Sequence, residues 1–524
     1  MDLFRSGNSD KAIMELKATF IDNLNPGAPT ILTAVIVICA LLFYCTADER
    51  PYPGIPVVGK GKGEWTNKKA KERFQLDATQ ILKQGLLEHK GPFQVFAPHG
   101  PTIILPPSMI DSIRNDDRLV FTHASRKIFL GDYSGLDPFR LSDPETDILI
   151  ATVRQNLTQS LGGDTPAALA SSLRTLLATA LPPPATWTPI AFAQLAPAVA
   201  ARLSAQVFLG EPLCRDAAWL AISVSYTLNA MAAVRRLRPW PPPARALLQH
   251  LVPECRALRA QIAHARRLIE PEVEARGRAR KGGRAVDALG WMEEQGVRRG
   301  AVLDPVVGQL GLSFVAIHTT SVTMVGVMYD LAREPGLVEK VRREIVEVLA
   351  EEGGWKKTSL YRMKLLDSCL KESQRVHIMN SVLMNRVALE AFTLPDGTRV
   401  PKGAMVGIPT WHMQDASNFE DPDKFDGERF LRMRQIPGLE TRAQFVTTSA
   451  DHLGFGHGKH ACPGRFFASN ELKIALCYLL MNYDWKFEEG EPKRISLLKS
   501  EFMPDPQQKI LVRAREPELD LFKL

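Results

Sequence analysis

Cys462 sits in a stretch that prepares a thiolate. Residues 455–468 read F-G-H-G-K-H-A-C-P-G-R-F-F-A, with Gly456, Gly458 and Gly464 around the cysteine and Pro463 directly after it. Glycines here let the backbone turn tightly beneath a bulky group and aim amide N–H groups at sulfur. The residues that follow, P-G-R-F-F-A-S-N-E-L-K-I-A-L-C-Y-L-L, read as a long, largely apolar helix. Its N-terminus lies beside the cysteine, where the helix dipole favours an anionic sulfur. A thiolate held this way suits the axial position of a haem iron. A zinc site from His457, His460 and Cys462 is the poorer reading, because no second Cys/His cluster at metal spacing accompanies them.

Hydroxyls and an ion pair make up two more groupings. Val302–Arg333 is long and mainly apolar with little charge, as a helix crossing the interior would be. Ala316-Ile-His-Thr-Thr-Ser321 lies within it. Consecutive hydroxyls in a buried helix are unfavourable unless they bond back to the helix or serve a purpose. Glu372-Ser-Gln-Arg375 continues a helical pattern that begins at Tyr361. On an exposed helix such an i,i+3 pair is worth only ~0.2–0.5 kcal/mol.

In this order and spacing the groupings resemble the cytochrome P-450 superfamily. Its haem-binding signature, F-x-x-G-x-x-x-C-x-G, is met by Phe455, Gly458, Cys462 and Gly464. The resemblance implies haem b with Cys462 as axial ligand and Phe455, Gly456 and Gly464 against the cofactor. Two residues before the cysteine the family usually has Arg; here His460 takes that place as a haem-propionate partner. Arg386, eleven residues beyond Arg375, matches another propionate ligand. Arg154 falls where the family carries W-x-x-x-R, with Ile150 in place of Trp, and reads as a propionate ligand or an ordinary solvated arginine. The oxygen-site motif (A/G)-G-x-(D/E)-T-T is matched by Ala316 and Thr319, with His318 replacing the acid. Thr319 is thereby the candidate for delivering protons to reduced oxygen. His318 either relays protons near neutral pH or faces away, bonded to a neighbouring helix. Glu372 and Arg375 match E-x-x-R, which locks with a later arginine, here Arg429 in Asp426-Gly-Glu-Arg-Phe430. Buried, such a network costs desolvation and sets geometry more than stability, so the three read as structural support for the cysteine pocket.

These groups need a large scaffold. The chain has 524 residues, 45% apolar and 23% charged, an ordinary globular balance with ample length for a core. Its formal charge of +7 includes no basic tract interleaved with aromatics, so nucleic acid is not an expected partner; the excess suits a membrane surface or an acidic protein. Seven scattered cysteines, an odd number, argue against a disulfide framework. No charge occurs from Asn23 to Ala47, and residues 28–47 read as a membrane anchor after an N-terminal segment, 1–27. Residues 48–59 form a proline-rich hinge. A basic cluster from Lys60 to Arg73 then places the remainder in the cytosol by the positive-inside tendency.

Residues 60–524 follow as one catalytic domain. Phe93–Phe96 with Thr102–Leu105, and Phe392–Leu394 with Thr398–Val400, read as hairpins, and Met405–Pro409 as a strand. Helical spacing recurs in 195–209 and 247–268. Arg235–Trp240 mixes cations with an aromatic, which suits a membrane interface or a solvated loop. The expected fold class is mainly α with small β-sheets, a cytochrome P-450 fold with one N-terminal transmembrane helix.

The resemblance implies a membrane-anchored monooxygenase that puts one oxygen of O₂ into a substrate C–H bond and releases the other as water. No flavin or nicotinamide fingerprint is evident, so electrons are expected from NADPH through a separate NADPH-cytochrome P-450 reductase, docking near Lys459, Arg465 and Lys473. A single-pass anchor implies the endoplasmic reticulum membrane, with the catalytic domain facing the cytosol. The stretches from Ala316 to Ala468 look like the filamentous-fungal secondary-metabolism, ent-kaurene oxidase-like branch. That implies a small apolar substrate, a terpenoid or terpenoid hybrid, with which Phe314, Val315 and Ile317 agree. A polyketide or alkaloid substrate, or a non-oxygenating haem-thiolate isomerase or dehydratase, are the alternatives.

Overall fold

The chain enters the fold along a sheet edge. Prolines at 51, 53 and 56 rule out a helix, and the segment bonds instead to the first strand: Val58 N–H donates to Gln94 O at 2.9 Å and Gln94 N–H to Pro56 O at 2.7 Å. The structure, a computed structural model, describes residues 31–38, 49–141, 143–279, 285–489, 496, 501–521 and 523. Helix α1 (Lys68–Glu88) packs on strand β1 (Phe93–Ala97), which forms the expected antiparallel hairpin with β2 (Gly100–Ile104), Phe93 opposite Ile104. Strand β3 (Leu119–Val120) leads into helix α2 (Phe121–Ile128). Helix α3 (Asp143–Ala151) opens with Asp143 and Glu145, which complement its dipole, and runs on into a π-helical turn, Thr152–Leu157, that carries Arg154.

Strand β4 (Thr188–Ile190) precedes helix α4 (Phe192–Phe208). Helix α5 (Ala217–Leu237) is capped by Asp216, which accepts the Trp219 amide at 2.8 Å. Spacing predicts continuous helix over 247–268; the structure divides it into α6 (Pro242–Leu251) and α7 (Pro253–Ala279). Pro253 pushes Val252 out of the helical region, to φ −64° and ψ 124°.

Helix α8 (Pro305–Leu331) is the axis of the fold. Asp304 caps it by accepting the Val306 and Val307 amides at 2.8 and 3.4 Å, and Pro305 stands at the first helical position, where a missing N–H costs nothing. Helix α9 (Lys364–Val376) is buried on all sides from Leu365 to Arg375. Strands β5 (Val382–Ala388), β6 (Phe392–Thr393), β7 (Arg399–Val400) and β8 (Met405–Pro409) follow, then helix α10 (Arg465–Asn482) and strands β9 (Tyr483–Lys486) and β10 (Ile510–Ala514). The larger sheet runs β1-β2-β8-β5-β3, with β2 and β8 parallel and a register slip in β5 between Leu383 and Arg386. A smaller one runs β4-β10-β9.

One core cluster joins Met324, Met328 and Leu331 of α8, Leu366 and Leu370 of α9, and Leu472, Leu476 and Leu479 of α10. Each such side chain stabilises the fold by about 1.5–3 kcal/mol. Of the expected anchor, residues 31–38 are helical, with Ile31, Leu32 and Ile36 exposed. The rest of 28–47, and segment 1–27, lie outside the described residues. Among the described residues, α5 and α8 are the helices long and apolar enough to cross a membrane. Both pack against the domain's other helices, as interior helices do.

Candidate active site

The cysteine loop is a tight backbone turn closed by hydrogen bonds. Cys462 N–H donates to Phe455 O at 2.8 Å, and Gly456 N–H to Leu453 O at 2.7 Å. Gly458 has φ +77°, and a Cβ there would lie 2.5 Å from the carbonyl oxygen of Arg114, so glycine is required twice over. Burial pushes the Cys462 thiol up; the backbone N–H groups of Gly464 and Arg465 and the Arg465 guanidinium oppose that by stabilising a thiolate. Both amides belong to the first turn of α10, as the helix-dipole argument requires.

His460, Arg386 and Arg154 come together beside this loop. Burial, and then Arg386, Lys459 and Arg154, push the His460 imidazole down to about 4, against a hydrogen bond to the Leu119 backbone. Arg386 is only 5% exposed, and burial lowers its guanidinium to about 10. It donates to Asn385 O at 2.7 Å and lies over the Phe121 ring. Arg154 Nη2 donates to Lys459 O at 2.8 Å, which ties the π-helical turn to the cysteine loop. Among the described residues none of the three forms an ion pair with a carboxylate.

The oxygen-site candidates stand on α8. Val315 is 58% exposed and Thr319 is exposed too, on the middle of a helix that is otherwise interior. Thr319 Oγ1 donates to Val315 O at 2.7 Å, Ser321 Oγ to His318 O at 3.0 Å and Thr323 Oγ1 to Thr319 O at 2.9 Å, so the hydroxyls bond back to the helix. His318 points away toward α5, where its Nε2 meets Val224 O at 3.1 Å, and burial pushes its imidazole down. Phe314 meets Phe129 and Phe139 edge-on, with ring centroids 5.2 and 4.6 Å apart. Ile317 does not join this face: it is buried against Ala200 and Ala201 of α4.

On α9, the buried Glu372 takes Arg375 in a two-pronged bridge, 2.9 and 2.8 Å, and Arg429 Nε at 3.0 Å. Arg375 also reaches Met413 O at 3.0 Å and Pro422 O at 2.7 Å, and Arg429 reaches Glu420 O at 2.7 Å. The spare donors of both guanidiniums thus hold the backbone of the loop region 413–429.

Comparison with known proteins points the same way. A family model described as Cytochrome P450 matches residues 306–512. The chain is 39% identical over 512 residues to Cytochrome P450 monooxygenase hepE of Aspergillus oryzae, covering 96% of this chain and 92% of that protein. It is 37% identical over 505 residues to Cytochrome P450 monooxygenase bsc2 of Alternaria brassicicola, covering 94% and 95%. With Cytochrome P450 monooxygenase pyr3 of Aspergillus fumigatus it shares 36% over 462 residues, covering 86% and 88%. The chain belongs to the cytochrome P450 family.

As a haem-thiolate monooxygenase, this P450 carries a donor set that fits its prosthetic group: a sulfur facing two amides, and two guanidiniums with an imidazole gathered without a carboxylate among the described residues, which complements two propionates. One expectation for its surface is overturned. Lys473, placed by its sequence position on a basic docking face, is buried, 2.7 Å from Asp367, and donates to Leu360 O. It faces the core because α10 is buried on nearly every side. Two residues of α9 in this region, Asp367 and Lys371, escaped notice in the sequence. They stand one turn apart, the spacing of an ordinary surface ion pair, so the neighbouring residues gave no sign that they are buried.

Proposed function

We propose that this P450 is a membrane-anchored enzyme of fungal secondary metabolism that oxidises a small apolar molecule, a terpenoid or terpenoid hybrid. The observation that carries the reading is the meeting of Cys462, facing the Gly464 and Arg465 amides, with the guanidiniums of Arg154 and Arg386 and the imidazole of His460, none of them bridged to a carboxylate among the described residues. Bound there, haem supplies dioxygen reduction and oxygen transfer, and a thiolate ligand favours O–O cleavage. Cys462 would ligate its iron, with the two amides holding the negative charge of the sulfur. Arg386, His460 and Arg154 would hold its propionates. Phe455, Gly456 and Gly464 keep the loop flat enough for close approach. Glu372, Arg375 and Arg429 fix the backbone beneath it.

Thr319 is the group we assign to proton delivery, since its hydroxyl is exposed on the open face of α8. His318 is better suited to holding α5 than to relaying protons. A relay must accept on one nitrogen and donate from the other, and Nε2 is directed at Val224 O, an acceptor that cannot pass a proton on. Val315 and the Phe314, Phe129 and Phe139 rings offer an apolar substrate its surface. Residues 28–47 are the anchor, 48–59 the hinge and 60–524 the catalytic domain, on the cytosolic face of the endoplasmic reticulum. Exposed Trp65, Leu247, Leu251 and Trp240 support a second apolar contact with the lipid, next to Arg235. Electrons come from NADPH through a separate reductase, docking near Lys459 and the exposed Arg442.

Metabolite profiling of a strain lacking the gene tests the substrate. A terpenoid lacking one oxygenated carbon accumulates, and microsomes containing the full chain with its reductase convert it in the presence of NADPH. Accumulation of a polyketide or alkaloid instead overturns the terpenoid assignment.

A further inference from the structure

The segment 442–447, which belongs to no helix or strand, has five of its backbone bonds made to buried or half-buried charged side chains. Lys371 Nζ donates to Arg442 O at 3.0 Å, Gln444 O at 2.8 Å and Thr447 O at 3.1 Å, one acceptor for each ammonium proton. Asp367, one turn earlier on α9, accepts the Phe445 amide at 2.8 Å and is itself held by Lys473 and Arg434. Arg465, at the start of α10, donates from Nε to Val446 O at 3.0 Å and from Nη1 to Cys462 O at 2.8 Å. The Phe445 ring meets Phe455 edge-on at 4.9 Å, and Phe455 O is the acceptor for the Cys462 amide. A continuous run of contacts therefore leads from Lys371 to the cysteine.

We propose that Lys371 is a positioning residue for the axial ligand: its ammonium, by gripping three carbonyls of 442–447, fixes the shelf on which the Cys462 loop rests. The surroundings fit a held charge. Asp367 attracts it against the repulsion of Arg434 and Arg442, the Phe430 ring lies 5.2 Å from Nζ, and His452 donates to the Lys371 carbonyl at 3.1 Å. Lys371 is only 1% exposed; burial, helped by Arg434 and Arg442 and opposed by Asp367, lowers its ammonium to about 7, and the three carbonyls are acceptors that suit the protonated form. A second contact from the same helix bears on the loop. At Gly454, next to Phe455, a Cβ would lie 2.1 Å from Gln374 Oε1, so α9 presses on both the shelf and the loop.

The inference rests on Cys462 being the axial ligand, and Cys462→Ser tests that point separately by abolishing the thiolate-type CO spectrum whatever stands at 371. The test of Lys371 uses the full-length holoenzyme in membranes with its reductase. In Lys371→Met, haem content per folded protein holds, while the ferrous-CO complex converts to the non-thiolate form at least roughly tenfold faster, since the loss of even one of the three charge-assisted hydrogen bonds is worth about that factor. Lys371→Gln, which keeps two donors, falls between, and Lys371→Arg restores most of the wild-type lifetime. Should Lys371→Met yield no holoenzyme, the Gln and Arg variants decide. A role in fold stability alone would lower the unfolding midpoint yet leave the CO complex and the haem potential of the folded enzyme unchanged. That outcome, or a Lys371→Gln enzyme with wild-type lifetime, overturns the proposal.

Discussion

The two sides of the cysteine site are built by different means. On the cysteine side, buried and half-buried side chains of α9 and α10 bond to the backbone of two irregular segments, 413–429 and 442–447, at more than half a dozen points. On the α8 side, Val315 and Thr319 lie open, and the tie to the neighbouring helix α5 is one imidazole hydrogen bond, His318 to Val224. Buried ionic networks fix geometry at a cost in desolvation, whereas α8 is held by packing along its length and leaves a short patch of its surface open. The first arrangement suits a centre that must not move, and the second a surface whose side chains can be exchanged without cutting a network.

The contrast is sharpest where the rigid side is cut. Cys462→Ser should abolish the thiolate-type CO spectrum and all turnover; a variant that kept either would remove Cys462 from the axial role. Glu372→Ala strands two buried guanidiniums, and breaking a buried pair from one end costs about 3–5 kcal/mol. Little haem-loaded protein should be recovered, and a near-normal unfolding midpoint would mean the network is dispensable. Changes on the α8 side should spare the fold. Thr319→Ala should keep haem content and lower product per NADPH about tenfold, with peroxide released in its place. Unchanged product per NADPH would assign the proton to another group. His318→Leu should have the smallest effect, raising the substrate KM about fivefold for the loss of one hydrogen bond of ~1 kcal/mol, with coupling intact. A normal KM with raised peroxide would restore the relay.

What the sequence disclosed follows the same divide. The glycines about Cys462 and the i,i+3 spacing of Glu372 and Arg375 are local constraints, set by backbone conformation and helical pitch, so they can be read from a few neighbouring letters. The β1–β2 and β6–β7 hairpins were legible for the same reason. The inward turn of Lys473, the packing of Ile317 onto α4 and the grip of Lys371 on 442–447 depend on partners far along the chain. A lysine is ordinarily a surface residue, and nothing adjacent to 371 or 473 contradicts that until three carbonyls or a carboxylate arrive from elsewhere. The break before Pro253 is different: the proline was in plain view, and the apolar period on either side masked it.

The clamp on 442–447 has a consequence for inheritance. Lys371, Asp367 and Arg465 touch peptide groups, which every amino acid shares, while the side chains of Arg442, Gln444, Val446 and Thr447 stand partly or fully outside. Those four positions can therefore drift among descendants with little loss, even though they lie under the reacting centre. Phe445 is held more closely, because its ring is buried and its amide donates to Asp367. Proline at 445 is the one exchange that removes both ring and donor.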